Sequence, residues 1–185
     1  MAICLDVSNR RMSDEQFAEV LRVLSNPGKV AKLYAQDSGI GNNRVDHLVA
    51  AIVLGGSVEE IWMAGNSIRD SGMKTISRLL VGNNVLRELH LGRNFFSPDG
   101  IRFLSDAILE NSYLQILNVA RCGLNYESAK MIVEAMTKSP CATDIYLGTN
   151  KLSGCDARRL CELAEYSPSL KLHGIGGELS ARMKF

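Results

Sequence analysis

One apolar pattern recurs every 28 residues along almost the whole chain, and it restricts the fold more than any other feature. It is clearest from Val58, read as Val58-x-x-Ile61-x-Met63-x-x-Asn66-x-Ile68, and again as Leu86-x-x-Leu89-x-Leu91-x-x-Asn94-x-Phe96. The opening position returns at Ala2, Val30, Val58, Leu86, Leu114, Ala142 and Leu170. The position three residues on returns at Leu5, Leu33, Ile61, Leu89, Leu117 and Ile145, and the next at Val7, Ala35, Met63, Leu91, Val119 and Leu147. A fixed period of this length marks an array of stacked units that share one continuous core.

Each unit changes period once. The opening L-x-x-L-x-L places its apolar residues on one side of an extended strand, because successive side chains alternate faces. Further on the spacing becomes helical: Ile76, Leu79 and Leu80 form one stripe, and Leu104, Ala107 and Ile108 another. Helix starts carry capping residues at Ser13 (with Gln16 three residues later), Ser97 followed by Pro98, Asn125, and Ser153. Breakers close the units at Asn26-Pro27-Gly28, Gly55-Gly56, Gly82-Asn83-Asn84, Ser139-Pro140 and Ser167-Pro168.

The consensus L-x-x-L-x-L-x-x-N/C-x-L is met by Leu86–Phe96, by Leu114–Leu124 with Cys122 in the Asn/Cys slot, and by the stretch from Ala142 to Leu152. The chain therefore resembles the leucine-rich repeat family, in its long ribonuclease-inhibitor-like subclass. That resemblance implies an α/β solenoid, a right-handed βα horseshoe arc with a parallel β-sheet on its concave face and α-helices on its convex face. It also implies that Asn66, Asn94 and Asn150 turn inward to bond backbone groups, with Ser38 and Cys122 in that slot making fewer bonds. For function the resemblance is broad, since the family includes inhibitors, immune sensors, filament-capping proteins and activators of small GTPases.

The sequence reads as a single leucine-rich repeat domain over residues 1–185, with repeats starting near 2, 30, 58, 86, 114 and 142 and a C-terminal cap from about 170. In the first, imperfect unit, Arg10 takes the Asn slot; either the charges of Asp6, Arg10 and Arg11 blunt its bare N-terminal edge, or a second copy covers that edge in a homodimer. In the second, Gly39-Ile40-Gly41-Asn42-Asn43 reads as a loop leading to a helix over 44–54. That loop lacks the Lys and Ser/Thr of a phosphate-binding P-loop. In the last unit His173 stands in a core position, Gly174, Gly176 and Gly177 break the strand, the pattern is lost by Glu178, and Arg182, Lys184 and Phe185 trail off.

Composition excludes some functions. A net charge of +1 argues against nucleic acid or a polyanionic membrane as the main ligand. No apolar run approaches the ~18 residues of a membrane span. Five scattered cysteines, without metal-knuckle spacing, suit a reduced, cytoplasmic setting.

Outward strand positions line the concave surface. One column reads Asp6, Tyr34, Trp62, His90, Asn118 and Tyr146; beside it run Cys4, Lys32, Glu60, Glu88, Ile116 and Asp144. A third column is small (Ser8, Gln36, Ala64, Gly92, Ala120, Gly148), and Asp37, Arg93, Arg121 and Phe95 follow at the strand ends. Inward packing does not explain the aromatic column, and Trp, Tyr and Arg dominate interface energies. Two readings stand side by side: a surface for a protein partner, or aromatics placed by strand preference alone. As a partner surface it comprises Tyr34, Trp62, His90, Asn118, Tyr146, Lys32, Glu60, Glu88, Asp144, Arg93 and Arg121, and its carboxylates suit a partner presenting Lys or Arg. His90 near Glu88 and Glu60 has no Ser or Cys nucleophile beside it, so the expectation is a binding module with no catalysis, cofactor or metal. A regulator of an enzyme such as a small GTPase, a filament-capping protein and an effector or immune-type repeat protein are the alternatives.

Overall fold

The computed structural model describes residues 2–175; the expectations placed on Gly176, Gly177, Glu178, Arg182, Lys184 and Phe185 lie outside them. Seven parallel strands form one sheet in strict chain order: β1 (Ile3–Asp6), β2 (Val30–Tyr34), β3 (Glu60–Trp62), β4 (Glu88–His90), β5 (Ile116–Asn118), β6 (Asp144–Tyr146) and β7 (Lys171–His173). Six helices alternate with them: α1 (Asp14–Leu24), α2 (Gly41–Gly55), α3 (Asp70–Leu80), α4 (Pro98–Glu110), α5 (Tyr126–Lys138) and α6 (Gly154–Ala164). Register follows the sequence period, since Leu33, Ile61, Leu89, Leu117 and Ile145 pair in a row and are all fully buried. Strands sit about 4.8 Å apart and helices about 8–10 Å, so the helical layer is the longer one and the sheet lines the inside of the arc.

Beyond each short strand the chain must turn, and the turn is the same in each repeat. Asn9, Asp37, Gly65, Arg93, Arg121 and Thr149 all take left-handed backbone conformations, with φ between 51° and 68°. A residue other than glycine there costs about 1 kcal/mol. The next residue compensates. Asn94 is fully buried; its Oδ1 accepts from the Asn66 and Ile68 amides at 3.1 and 2.9 Å, and its Nδ2 donates to the Met63 and Leu91 carbonyls at 3.0 and 2.8 Å. Asn66 and Asn150 make the corresponding bonds.

The helix layer is also tied unit to unit. Ser13, Ser97, Asn125 and Ser153 cap α1, α4, α5 and α6 as their sequence context implies. Arg69, at the N-cap of α3, supplies no side-chain cap; Asn42 reaches across from α2 to accept from the Arg69 and Gly72 amides at 2.9 and 3.2 Å. Asp70 does the same for Ser97 at 2.8 Å. The close approach needs glycine next door, since a Cβ at Gly72 or Gly100 would lie 2.7 or 2.3 Å from those side-chain oxygens.

Three local expectations change. α2 begins at Gly41, not at residue 44, because the Gly41 amide bonds the Asn66 carbonyl at 2.9 Å and Asn42 is already in the first turn. Ala2 is exposed, because no strand lies outside β1 among the described residues to cover it. His173 leaves the core slot: β7 pairs Leu172 with Ile145 and His173 with Tyr146, so the last unit is one residue short and its histidine faces outward.

The ladder generates a sharp contrast. Asn94→Ala leaves buried backbone groups unpaired and is expected to lower stability by at least about 3 kcal/mol. Tyr146→Ala removes an exposed ring and costs about 1 kcal/mol or less. Urea denaturation of the two variants measures both, and the reverse order would invert the assignment of faces.

Candidate binding surface

The outward residues of the seven strands form one continuous register. Parallel pairing aligns Asp6, Tyr34, Trp62, His90, Asn118, Tyr146 and His173 across the sheet. His173 is the residue that sequence spacing missed; the signal was Leu172, whose apolar side chain restores the in–out alternation once the step is shortened by one. The rings pack on one another. Tyr34 meets Trp62 edge-on at 5.7 Å, Trp62 stacks on His90 at 3.6 Å, and Tyr146 stacks on His173 at 4.4 Å. Asn118, between the two stacks, folds its amide back onto the Ala120 amide at 3.0 Å.

This stacking changes what solvent reaches. Tyr146 is exposed, and Tyr34, Trp62 and Asn118 are partly so, whereas His90 has only 7% of its side chain exposed. His90, expected on the accessible surface, is therefore covered: Trp62 lies against one face and Glu88 meets its Nε2 at 3.2 Å. Its Nδ1 is buried without a hydrogen-bond partner.

The neighbouring column is largely paired within itself. Lys32 Nζ reaches Glu60 at 2.6 Å, which raises the lysine pKa, and Glu60 is well covered. Asp144 Oδ1 meets His173 Nε2 at 2.6 Å. Burial pushes the Asp144 carboxyl up, but hydrogen bonds from His173 and Thr143 and the nearby charges of His173 and Lys171 hold it below the usual value. Glu88, Ile116 and Asp144 follow one another in register, an apolar strip between two carboxylates. At the rim, Arg93 crosses the side-chain-free Gly65 to reach Asp37 at 2.5 Å, whereas Arg121 has no ion-pair partner among the described residues. Of the predicted charges, then, Glu60 and Arg93 are spoken for, and Glu88, Asp144 and Arg121 face outward with capacity to spare.

The chemistry available beside His90 is limited. Cys122 is buried with Sγ 3.4 Å from the Leu91 carbonyl, and burial pushes its thiol pKa up to about 12, so it is a protonated donor and no nucleophile. Among the described residues no three His, Cys, Asp or Glu side chains gather around a common point that would hold a metal. No described helix is long and apolar enough to cross a membrane.

His90 gives the fold a pH dependence. Burial lowers its pKa, and the hydrogen bond and charge of Glu88 and the charge of Glu60 offset this only in part. The unfolded chain takes up the proton near the ordinary value of 6.5 and the folded chain does so only at lower pH. Stability is therefore full above that value and falls as the pH drops below it. Replacing the ring with a non-titrating one, His90→Phe, is expected to flatten this acid limb in urea midpoints measured across pH; an unchanged limb would assign it to other groups.

Comparison with known proteins bears on the architecture. A sequence profile described as a leucine-rich repeat matches residues 110–133. No curated protein sequence matches the chain. Among solved structures, actin-binding site 2 of leiomodin-1 aligns with a TM-score of 0.65 at 16% identity, over 82% of this chain and 88% of that one. The C-terminal domain of tropomodulin from Caenorhabditis elegans gives 0.63 at 16% identity, over 84% and 93%. At that identity the likeness concerns the fold. Taken with the in-register strands and the asparagine ladder, it leads to one conclusion: the chain has the leucine-rich repeat fold.

Proposed function

We propose that the chain is a non-catalytic protein-binding module of the ribonuclease-inhibitor-like subclass, and that its partner lies along the concave face of the sheet. The observation that carries this reading is the aromatic register itself: Tyr34, Trp62, Tyr146 and His173 stand on solvent-side strand positions where the core makes no demand on them. Stacking holds these rings in place before any partner arrives, so little side-chain entropy is lost when they are covered. Beside them the Glu88–Ile116–Asp144 strip suits a lysine or arginine of the partner, its aliphatic stem on Ile116 and its charge between the two carboxylates.

A second reading concerns the kind of partner. The fold likeness to a domain that in leiomodin-1 is an actin-binding site makes an actin filament end a candidate. Adding the chain to polymerising actin tests it, since a capping or nucleating module changes the elongation rate and an unrelated binder leaves it unchanged.

The surface itself is tested by capture from cell extract with wild type and with Tyr34→Ala/Tyr146→Ala, the fold of each checked by circular dichroism. A protein held by wild type and lost by the variant is the expected result; equal capture by both would move the interface off the sheet. In the verified complex, the emission of Trp62, the only tryptophan, is expected to shift as its partly exposed ring is covered. An unshifted spectrum would place the contact elsewhere.

A further inference from the structure

A second feature lies outside the sheet face, on the rim where strands β4 to β6 hand over to their helices. Phe95 is 61% exposed there, while its neighbour Phe96 is buried in the core. Equivalent positions in the other units hold Arg11, Gly39, Ser67, Gly123 and Lys151, so the repeat does not call for an aromatic ring. The Phe95 ring lies over Gly123, whose missing side chain leaves the platform open at 3.6 Å from where a Cβ would stand.

Cations occupy the rim positions of the same and the following units. The left-handed step that precedes each asparagine slot points Arg93 and Arg121 outward from consecutive units, and both are exposed. Lys151, also exposed, is fixed beside them by the bond of its amide to the Leu124 carbonyl at 2.8 Å. Arg93 is committed to Asp37, but Arg121 and Lys151 have no ion-pair partner among the described residues. Of the acids at the helix starts, Asp99 faces Arg102 at 3.9 Å and Asp156 takes bonds from Ser153, while Glu127 stands exposed in the first turn of α5. The N-termini of α4, α5 and α6 all point to this rim, and an acid in the first turn of each, at Asp99, Glu127 and Asp156, offsets its dipole, so the sign of the rim rests on the side chains.

We propose that this rim is a second docking surface, separate from the sheet face, and that its occupant is an acidic protein segment carrying one large apolar side chain. The apolar residue packs on Phe95 and the open platform of Gly123, while Asp or Glu residues on either side pair with Arg121 and Lys151. Two free cations around a single aromatic fit a short peptide. A nucleic acid or lipid surface would need a broader positive field than a chain of net charge +1 offers.

Selection of a random peptide library displayed on phage against the intact chain tests this. Wild type is expected to enrich peptides that join Asp or Glu to an aromatic or large aliphatic residue. Arg121→Glu/Lys151→Glu, with unchanged circular dichroism, is expected to lose that enrichment, and synthetic copies of the enriched peptides should bind it at least about tenfold more weakly. Phe95→Ser should retain the acids of the consensus and lose the apolar residue. Tyr34→Ala/Tyr146→Ala should select the same peptides as wild type. The proposal is overturned if wild type enriches no acidic peptides or if enrichment survives charge reversal. It is also overturned if enrichment disappears in the sheet-face variant. Tighter, Arg121-dependent binding to duplex DNA or to phosphatidylserine vesicles would replace it with a polyanion site.

Discussion

The turns after β2 to β6 of this solenoid depend on an inward polar side chain (Ser38, Asn66, Asn94, Cys122 or Asn150) that finishes backbone hydrogen bonds the strands leave open. Strands of three residues cannot satisfy the amides and carbonyls of the bend that follows, and that bend is buried on one side. The asparagine amide has two donors and two acceptor sites in fixed directions, which matches what the bend lacks. Ser38 and Cys122 fill the same slot as donors, to the Val7 and Leu91 carbonyls at 2.7 and 3.4 Å, but neither offers the paired acceptance of an amide oxygen. The slot also explains the strained residue before it. A chain that must aim the asparagine inward has to bring its predecessor through φ near +56°, and this sends the predecessor's side chain away from the core. Arg93 and Arg121 are thus put on the rim by Asn94 and Cys122.

Strict register carries a second consequence. A parallel array with a constant step places equivalent residues side by side about 4.8 Å apart, so an outward charge copied faithfully in each unit would build a column of like charges. The core slots repeat and the outward slots do not. Where two carboxylates do fall together, at Glu60 and Glu88, Lys32 pairs with one and His90 with the other. Lys32 thus neutralises Glu60, while the His90 imidazole, held neutral by burial, only hydrogen-bonds Glu88 and leaves its charge for a partner.

The same distinction decides what was legible in the sequence. The inward positions of each strand, the helical stripes and the caps at Ser13, Ser97, Asn125 and Ser153 are enforced locally in every unit, so spacing alone found them. Interactions that join different units left no such trace. Asn42 reads as a loop residue until α3 is seen to lack its own cap. Asn83 reads as a helix breaker and Asn111 carries no signal of its own, yet each closes the turn back into the sheet by accepting two amides, and Asn111 also donates to Leu80 and Asn83 in the preceding unit. The outward column was readable as a column, but the burial of His90 depends on the size of Trp62 next to it, which no single strand reveals. His173 was lost to a single deleted residue in the period.

Parallel strands with identical crossovers also make the molecule polar from edge to edge. Every helix begins at the same rim, so six dipoles point one way. Acids in the first turn offset five of them, at Asp14 and Glu15, Asp70, Asp99, Glu127 and Asp156, and α2 has none. With the helix ends offset, the sign of the rim at each unit is set by the side chain at the left-handed step: Asp37 in the second unit, nothing at Gly65, then Arg93 and Arg121. The Asp37–Arg93 pair cancels the contrast over the first part of the arc and leaves Arg121 uncancelled where Phe95 and Lys151 stand. A net charge of +1 therefore averages over a surface whose charge is distributed unit by unit. The sheet thus presents acid at Glu88 and Asp144 and the rim presents base, and two surfaces of opposite sign on one arc discriminate between partners of opposite charge.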